Sequence, residues 1–401
     1  MKVLVADKLE DSGRRGLAEA GFEVLYEPEL TGDGLTKAIA DSGAEVLIVR
    51  STKVTRAMLE GGKLALVVRA GAGTNTIDVK AASERGIQVA NCPGKNAIAV
   101  AELAFALMLA LDRHVVDGAA DLRDGKWNKR AYSKAKGLFG RTLGVLGAGN
   151  IGREVIARAK AFGMPVVVWS HGMTNEEAAE LGVVRVSSPT ELAAQCDVLT
   201  VHVALVPETR GLIGDAFFSA MRQGAYFINT SRAEVIDEAA LERAVRERGV
   251  RAGLDVFVGE PEGGTGSVSA KIFTLPGVIG SHHIGASTDQ AQEATAAETV
   301  RIVLSFRDTR RAPNVVNLAK KSKATHLLVV RHYDRVGVLA AVFDILKRAG
   351  VNVQETENIV FEGGQAAVAR IHVDHAAADA DLESVRASSP HVLDVAMVPI
   401  H

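Results

Sequence analysis

The sequence predicts an α/β protein with two doubly wound parallel sheets and a small C-terminal α+β domain. Two series of short apolar runs alternate with amphipathic stretches, which is the pattern of strands joined by helices. Such βαβ units give parallel sheets that are buried on both faces. After residue 324 the order becomes βαββαβ, which is typical of a small antiparallel sheet. With 401 residues, the chain is long enough for two or three domains.

Composition indicates an ordinary globular protein and narrows the range of partners. The chain is 47% hydrophobic and 23% charged, and its net charge is -2. Because no basic run is long enough to follow a phosphate backbone, we do not expect nucleic acid as a partner. Cys92 and Cys196 lack metal-ligand spacing and fit a reducing compartment. The longest apolar stretch, residues 97–111, is too short to cross a membrane, and the N-terminus does not read as a secretory signal. We therefore expect no membrane partner and a cytoplasmic location.

The first series forms the first predicted sheet. Its apolar runs are "KVLVAD", "FEVLYE", "VLIVR", "LALVVR" and "IQVANC". It ends where "NAIAVAELAFALMLAL" begins, a helix that is apolar on almost every face. A helix of that kind is expected between domains or at a subunit contact rather than on a free surface.

The second series forms the second predicted sheet. It contains "TLGVLGAGNIG", "VVVW", "DVLTVH", "AYFIN", "AGLDVF" and "GVIGSHH". Glycine-rich residues 259–269 predict an exposed loop. A helix over residues 287–307 should follow, with Ser287 as its cap and Gln290 completing a capping box. Polar, basic residues after this helix predict a linker.

A glycine fingerprint opens the second series. Gly147, Gly149 and Gly152 have the G-x-G-x-x-G spacing, directly after a strand and at the start of a helix. They would permit a tight turn, approach of a pyrophosphate and close helix–strand packing, and the helix N-terminus would bind phosphates. Dinucleotide binding is therefore predicted. The position expected to carry an acidic ribose ligand holds Ser170, so a 2'-phosphate would not be repelled and NADP stays possible. NAD is favoured because no Lys or Arg between residues 164 and 176 could bind that phosphate.

Four chemically reactive side chains follow three successive strands of the same series. Arg232 follows "AYFIN", Glu260 follows "AGLDVF", and the pair His282 and His283 follows "GVIGS". Arg can bind a carboxylate, His can exchange a hydroxyl proton, and Glu can orient the imidazole. The set predicts hydride chemistry on a 2-hydroxy acid. A metal pair is the alternative for the histidines, but no ligand cluster accompanies them, and neighbouring residues of an extended segment point to opposite faces.

Several blocks resemble the D-isomer-specific 2-hydroxyacid dehydrogenases over residues 1–316. They are "VRAGAGTNTID", "NAIAVAELAFALML", "TLGVLGAGNIG", "HVALVPETRGLI", "FINTSRAEVIDEAAL", "GLDVFVGEP" and "SHHIGAS". The resemblance implies Arg232, Glu260 and His283 as the catalytic residues, with His282 a bystander. It also implies cofactor contacts at Gly147, Gly149, Asn150, Ile151, Gly152, Ser170, His202, Pro207, Thr230, Ser231, Asp255 and Gly285.

The resemblance also implies the domain boundaries. Residues 1–96 and 286–316 would form a flavodoxin-like substrate domain, and residues 97–285 a Rossmann NAD-binding domain with the active site between them. Residues 317–323 would be a linker and residues 324–401 a regulatory domain.

Within this family the chain is most similar to the 3-phosphoglycerate dehydrogenases. The blocks "IVRSTKVT" and "VVRAGAGTNTID" place Arg50 and Arg69 where such enzymes hold the substrate phosphate. Two guanidinium groups suit a dianion. The resemblance further implies substrate contacts at Ala72, Gly73 and Asn96. Oxidation of 3-phosphoglycerate, the first step of serine synthesis, is therefore expected; a glyoxylate or hydroxypyruvate reductase is the near alternative, and a nicotinamide-sensing scaffold a third.

The C-terminal segment "VVRHYDRVGVLAAVFDILKRAGVNV" resembles an ACT domain, an amino-acid-sensing module. The resemblance implies serine as an effector, held between paired modules by His332, Asp334 and Asn352. Asp334 stands where serine-responsive modules carry Asn. The alternative is a module that serves only assembly. Paired modules and the apolar helix together predict a homo-oligomer, either a dimer or a tetramer.

Overall fold

The computed structural model describes residues 1–261, 265–319 and 321–400. The chain divides into two units, Met1–Asn317 and Leu318–His401. The division falls inside the predicted linker 317–323, of which Lys320 lies outside the described residues. His401, the last residue of the predicted regulatory domain, also lies outside them.

A five-stranded parallel sheet forms the first half of the first unit, with strand order β2-β1-β3-β4-β5. Strand β3 is buried at all four residues, as expected of a parallel sheet covered on both faces. The elements are β1 (Lys2–Val5), α1 (Asp11–Glu19), β2 (Glu23–Tyr26), α2 (Gly32–Ser42), β3 (Val46–Val49), α3 (Arg56–Glu60), β4 (Leu66–Arg69), α4 (Val79–Glu84) and β5 (Gln88–Asn91).

Three helices connect the first sheet to the second. They are α5 (Ala97–Arg113), α6 (Val115–Arg123) and α7 (Lys129–Tyr132). Ten of the seventeen residues of α5 are buried, whereas α6 and α7 bury none. Side chains of α5, among them Phe105 and Met108, join the core under the second sheet. The apolar helix therefore packs inside the first unit.

A seven-stranded parallel sheet follows, with strand order β12-β11-β10-β9-β6-β7-β8. Its short strand β8 was not predicted, because its two residues are exposed and carry no apolar pattern. The elements are β6 (Leu143–Leu146), α8 (Asn150–Ala161), β7 (Val166–Trp169), α9 (Asn175–Glu180), β8 (Val184–Arg185), α10 (Pro189–Gln195), β9 (Val198–Val201), α11 (Asp215–Ala220), β10 (Tyr226–Asn229), a 3-10 turn (Ala233–Val235), α12 (Glu238–Arg248), β11 (Arg251–Leu254), a second 3-10 turn (Lys271–Thr274) and β12 (Val278–Gly280).

The predicted loop 259–269 lies between β11 and β12. Residues 262–264 of it lie outside the described residues, and its described residues form neither helix nor strand.

Helix α13 (Asp289–Thr309) returns the chain to the first sheet. Ala296, Ile302, Val303 and Phe306 pack there with residues of the parallel strands. The predicted cap was wrong: Thr288, not Ser287, is the N-cap, because its extended backbone lets its hydroxyl accept the N–H of Ala291 at 3.2 Å. The helix accordingly begins two residues later than predicted and ends two residues later.

The second unit is a four-stranded antiparallel sheet with two helices, in strand order β14-β15-β13-β16. Its core contains Leu328, Val330, Ile345, Ile371 and Val385. The elements are β13 (His326–Tyr333), α14 (Val338–Arg348), β14 (Val353–Val360), β15 (Ala366–Val373), α15 (Asp379–Ala387) and β16 (Val392–Pro399). The predicted fold class, two parallel sheets and a small βαββαβ sheet, is confirmed.

None of the helices in the described part of the chain combines the length and the apolar character that a membrane span requires.

Candidate active site

Arg232, Glu260 and His283 come together at one edge of the second sheet. They follow β10, β11 and β12 in turn, and these strands are parallel neighbours. Because carboxyl ends of parallel strands meet at one edge, residues separated by about 50 positions in sequence share one site. This is the placement that the sequence predicted.

Glu260 and His283 form a directed hydrogen bond. Nδ1 of His283 lies 2.7 Å from Oε2 of Glu260, whose other oxygen accepts the N–H of Phe257 at 2.9 Å. Partial burial raises the pKa of the Glu260 carboxyl, but hydrogen bonds from His283 and Phe257 and the charges of His283 and Arg232 outweigh it. The net pKa of Glu260 is lowered. An ionised carboxylate can only accept, so Nδ1 of His283 donates and Nε2 is left to exchange a proton.

The backbone at His283 is left-handed, with φ of 54°. The prediction that an extended segment turns the two histidines to opposite faces was therefore wrong in its geometry. His283 nevertheless contacts Glu260, and His282 is exposed. The backbone N–H of His283 donates to the carbonyl of Asp255 at 2.9 Å, which fixes the turn.

Asp255 fixes the loop around His283, residues 281–285, by hydrogen bonds. Its buried carboxylate accepts from the hydroxyl of Ser281 at 2.7 Å and from the N–H groups of Ile284 and Gly285 at 2.9 Å each. The sequence predicted a cofactor contact for Asp255 and did not anticipate this role. The one available signal was a carboxylate directly after a buried strand.

The side chains of Arg69 and Arg232 contact the same glycine loop, residues 71–73, which follows β4. A Cβ atom at Gly71 would overlap Nη1 of Arg69, and a Cβ atom at Gly73 would lie 2.5 Å from Nη2 of Arg232. The side-chain amide of Asn91 fixes the loop by donating to the carbonyl of Ala72 at 2.5 Å. The loop thus joins an arginine of the first sheet to one of the second.

Arg50, Arg69 and Arg232 form an arginine cluster with excess positive charge. Burial, followed by the charges of Arg232 and Arg50, lowers the pKa of Arg69 to about 10. Nε of Arg69 is buried and has no hydrogen-bond partner among the described residues. Arg69 remains charged at neutral pH, so the cluster favours an anion.

The glycine fingerprint fits a dinucleotide pyrophosphate. Gly147 has φ of 98°, and a side chain there would meet the carbonyl of His202 at 2.9 Å. A side chain at Gly152 would overlap the carbonyl oxygen of Gly147. Gly149 is the N-cap of α8 without a side-chain cap, and open space surrounds its Cβ position. Asn150 and Ile151 open the helix, whose free N–H groups face that space.

The other predicted cofactor residues surround the same sheet edge. Ser170 directly follows β7, and Pro207 lies in an exposed turn after β9. Thr230 and Ser231 are buried after β10, and Oγ1 of Thr230 lacks a hydrogen-bond partner among the described residues. Gly285 is buried against Asp255. Asn96, which was predicted as a substrate contact, precedes α5 as its N-cap.

His202 is neutral at this edge. Burial lowers its pKa to about 3, and Nε2 lies 2.8 Å from the hydroxyl of Thr200. Nδ1 is buried without a hydrogen-bond partner in the described part of the chain. A buried polar atom of this kind is suited to a ligand contact.

Among the described residues, no group of three or more His, Cys, Asp or Glu side chains could hold a metal ion.

Residues 105–285 match the family described as D-isomer specific 2-hydroxyacid dehydrogenase, NAD binding domain. The hydroxypyruvate reductase of Thermotoga maritima is 40% identical over 302 residues, which cover 75% of this chain and 96% of that protein. This chain belongs to the D-isomer-specific 2-hydroxyacid dehydrogenases. The predicted family and its NAD cofactor are thereby confirmed.

Two further relatives of this dehydrogenase carry phosphoglycerate in their names. The D-3-phosphoglycerate dehydrogenase of Methanocaldococcus jannaschii is 41% identical over 321 residues, 79% of this chain. This chain spans only 60% of that relative's length. The NAD+-bound 3-phosphoglycerate dehydrogenase structure from Entamoeba histolytica has a TM-score of 0.66 and 28% identity, covering 79% of this chain and 99% of that one.

In the second unit of this dehydrogenase, the structure does not bring Asp334 and Asn352 together within one chain. The N–H of Asp334 donates to the carbonyl of Gln365, just before β15, whereas the N–H of Asn352 donates to Asp374, just after β15. The length of that strand, roughly 25 Å, separates them. His332 is buried, and its ring nitrogens contact the carbonyl of Tyr333 and the amide of Asn358.

Proposed function

We propose that this protein oxidises 3-phospho-D-glycerate to 3-phosphohydroxypyruvate. The observation that carries the proposal is the arginine cluster beside the Glu260–His283 pair. Three guanidinium groups exceed what one carboxylate needs, and a phosphorylated 2-hydroxy acid supplies both a carboxylate and a phosphate.

Each residue has a definite task in this proposal. Arg232 and the N–H groups of Ala72 and Gly73 bind the substrate carboxylate, while Arg50 and Arg69 bind the phosphate. Nε2 of His283 accepts the hydroxyl proton, and Glu260 stabilises the imidazolium that results. When bound, NAD+ would supply the acceptor for the hydride that leaves the hydroxyl-bearing carbon, so that a carbonyl would form.

A reductase acting on hydroxypyruvate is the second candidate. The Thermotoga maritima relative carries that name, and its whole length is almost covered. Such a substrate lacks a phosphate and would leave Arg50 and Arg69 without an anion. The arginine cluster therefore favours the phosphorylated substrate.

Cofactor preference is part of the proposal. We infer that NAD is used in preference to NADP, although Ser170 presents no carboxylate to repel a 2'-phosphate. The support is the absence of any Lys or Arg between residues 164 and 176 that could bind that phosphate.

The second unit is proposed as a serine sensor that works between two copies of the chain. Asp334 and Asn352 lie at opposite ends of one sheet, so a small effector can contact both only if each comes from a different copy. A homo-oligomer, dimer or tetramer, in the cytoplasm completes the proposal. A domain used only for assembly is the alternative.

A substrate panel tests the proposed function. Cofactor reduction is measured with 3-phospho-D-glycerate, D-glycerate, D-lactate and glycolate, each with NAD+ and with NADP+. We expect the highest kcat/KM for the phosphorylated acid with NAD+. Equal or higher kcat/KM for D-glycerate would overturn the phosphate proposal in favour of the reductase, and no turnover of any acid would favour a regulatory scaffold.

A further inference from the structure

Arg50 is held at its backbone by a carboxylate from the neighbouring strand. Oδ2 of Asp7, directly beyond β1, accepts the N–H groups of Arg50, Ser51 and Thr52 at 2.7, 3.1 and 2.9 Å. Three hydrogen bonds to one oxygen fix the turn after β3. The Arg50 backbone is therefore set before any substrate binds.

The Arg50 side chain is held by a residue 242 positions away. Nη1 of Arg50 donates to Oε1 of Gln292 at 2.8 Å. Gln292 lies in the first turn of α13, whose N–H at that residue bonds the carbonyl of Thr288 at 3.0 Å. Because α13 is packed into the core of the first sheet, the amide oxygen is attached to a rigid element.

The side-chain amide of Gln292 is a neutral acceptor for the charged Arg50 guanidinium. The charge of Arg69 repels the Arg50 guanidinium, so an acceptor is needed to hold Arg50 in the cluster. A carboxylate would hold it but would cancel the charge that a dianion requires. An amide oxygen holds the guanidinium without adding a second negative charge to that of Asp7, whose carboxylate already acts on Arg69.

We propose that Gln292 is a positioning residue that gives the substrate site its preference for a phosphorylated acid by holding Arg50 in place. This inference rests on the proposed function, since it assigns the phosphate of that substrate to Arg50. Gln292 need not touch the reacting atoms, and its effect passes through Arg50.

A double-mutant cycle on the full chain tests this role. The variants are Gln292→Met, Arg50→Met and the double variant, with Gln290→Met, on the exposed side of the same helix turn, as the matched control. We measure kcat and KM for 3-phospho-D-glycerate and for D-glycerate. Gln292→Met should raise KM for the phosphorylated acid by about tenfold, with a small change in kcat and a much smaller change for D-glycerate. In the Arg50→Met background it should add nothing.

Gln292→Glu provides a second variant that keeps the contact with Arg50. It should raise KM for the phosphorylated acid at least as much as Gln292→Met, because it neutralises Arg50, while its melting temperature stays at the wild-type value. Comparable losses for both acids, or an effect that persists without Arg50, would overturn the inference and leave the proposed function standing. A wild-type enzyme that does not prefer the phosphorylated acid would overturn the proposed function itself, and this inference with it.

Discussion

His283 and His282 are neighbours in the chain with different surroundings. Both side chains are exposed, but of the two only His283 forms a hydrogen bond with Glu260. His283→Gln removes the nitrogen that accepts the hydroxyl proton, so kcat should fall roughly 10²- to 10⁴-fold. His282→Gln is the matched control and should retain most activity. Steady-state oxidation rates check this, and similar losses in both variants would contradict the assignment.

The positions of single residues were predictable at the ends of strands. Contacts between distant segments of the chain were not. Arg232, Glu260 and His283 each follow an apolar run, so their convergence can be read from the sequence. The contact between Arg50 and Gln292 joins segments 242 residues apart, and no local pattern encodes it. The left-handed backbone of His283 was equally hidden, because left-handed non-glycine residues are set by their tertiary contacts.

At the scale of elements, two glycines at the start of α8 should affect cofactor binding and folding to different degrees. Gly149→Ala places a methyl group in open space before the helix N-terminus, so NADH affinity should fall while the melting temperature changes little. Gly152→Ala instead drives a methyl group into the carbonyl of Gly147 and should lower both. Fluorescence titration with NADH and thermal melting distinguish the two. Unchanged NADH affinity in Gly149→Ala would contradict the predicted site.

Glu298 ties helix α13 to the segment before α5 and to the segment that follows α13. Its carboxylate accepts from Arg301 at 2.6 Å and from Asn314 at 2.7 Å, and Lys95 lies 3.5 Å away. The hydrogen bond from Arg301 is the main cause that lowers the pKa of Glu298 to about 2; burial opposes it. Asn314 follows α13, and Lys95 precedes α5.

This low pKa gives a stability prediction. Because the folded pKa lies below the unfolded value, the stabilisation is complete above about pH 5 and is lost as the pH falls toward about 2. Glu298→Gln should therefore lower the free energy of unfolding by about 2 to 3 kcal/mol at neutral pH, and by much less near pH 3. Urea unfolding at both pH values measures this, with exposed Glu247→Gln as the control. An equal loss at both values would contradict the ionic role.

In the two parallel sheets, the strands were predictable where they form apolar runs. The sequence predicted every four-residue strand of the two parallel sheets. Burial on both faces requires continuous apolar runs, and such runs can be seen in the sequence. Strand β8 and the start of α13 were missed. Both residues of β8 are exposed, so no apolar pattern marks this strand. The start of α13 depended on whether Ser287 or Thr288 has the extended backbone of an N-cap.

For the whole molecule, the proposed serine sensor needs two copies of the chain, because Asp334 and Asn352 lie at opposite ends of one sheet. Serine should lower the oxidation rate and shift the sedimentation profile toward the larger species, and Asp334→Ala should remove both effects. Exposed Glu362→Ala serves as the control. If millimolar serine changes neither the rate nor the melting temperature, the second unit is not a serine sensor.

In the proposed function, the arginine cluster selects a phosphorylated 2-hydroxy acid. The most direct measurement is the ratio of kcat/KM for 3-phospho-D-glycerate to that for D-glycerate, in the wild type and in Arg69→Met. We expect a large ratio in the wild type and a fall of at least tenfold in the variant, because a desolvated guanidinium contact to the phosphate is lost. A ratio near unity in the wild type, or one that Arg69→Met leaves unchanged, would contradict the claim.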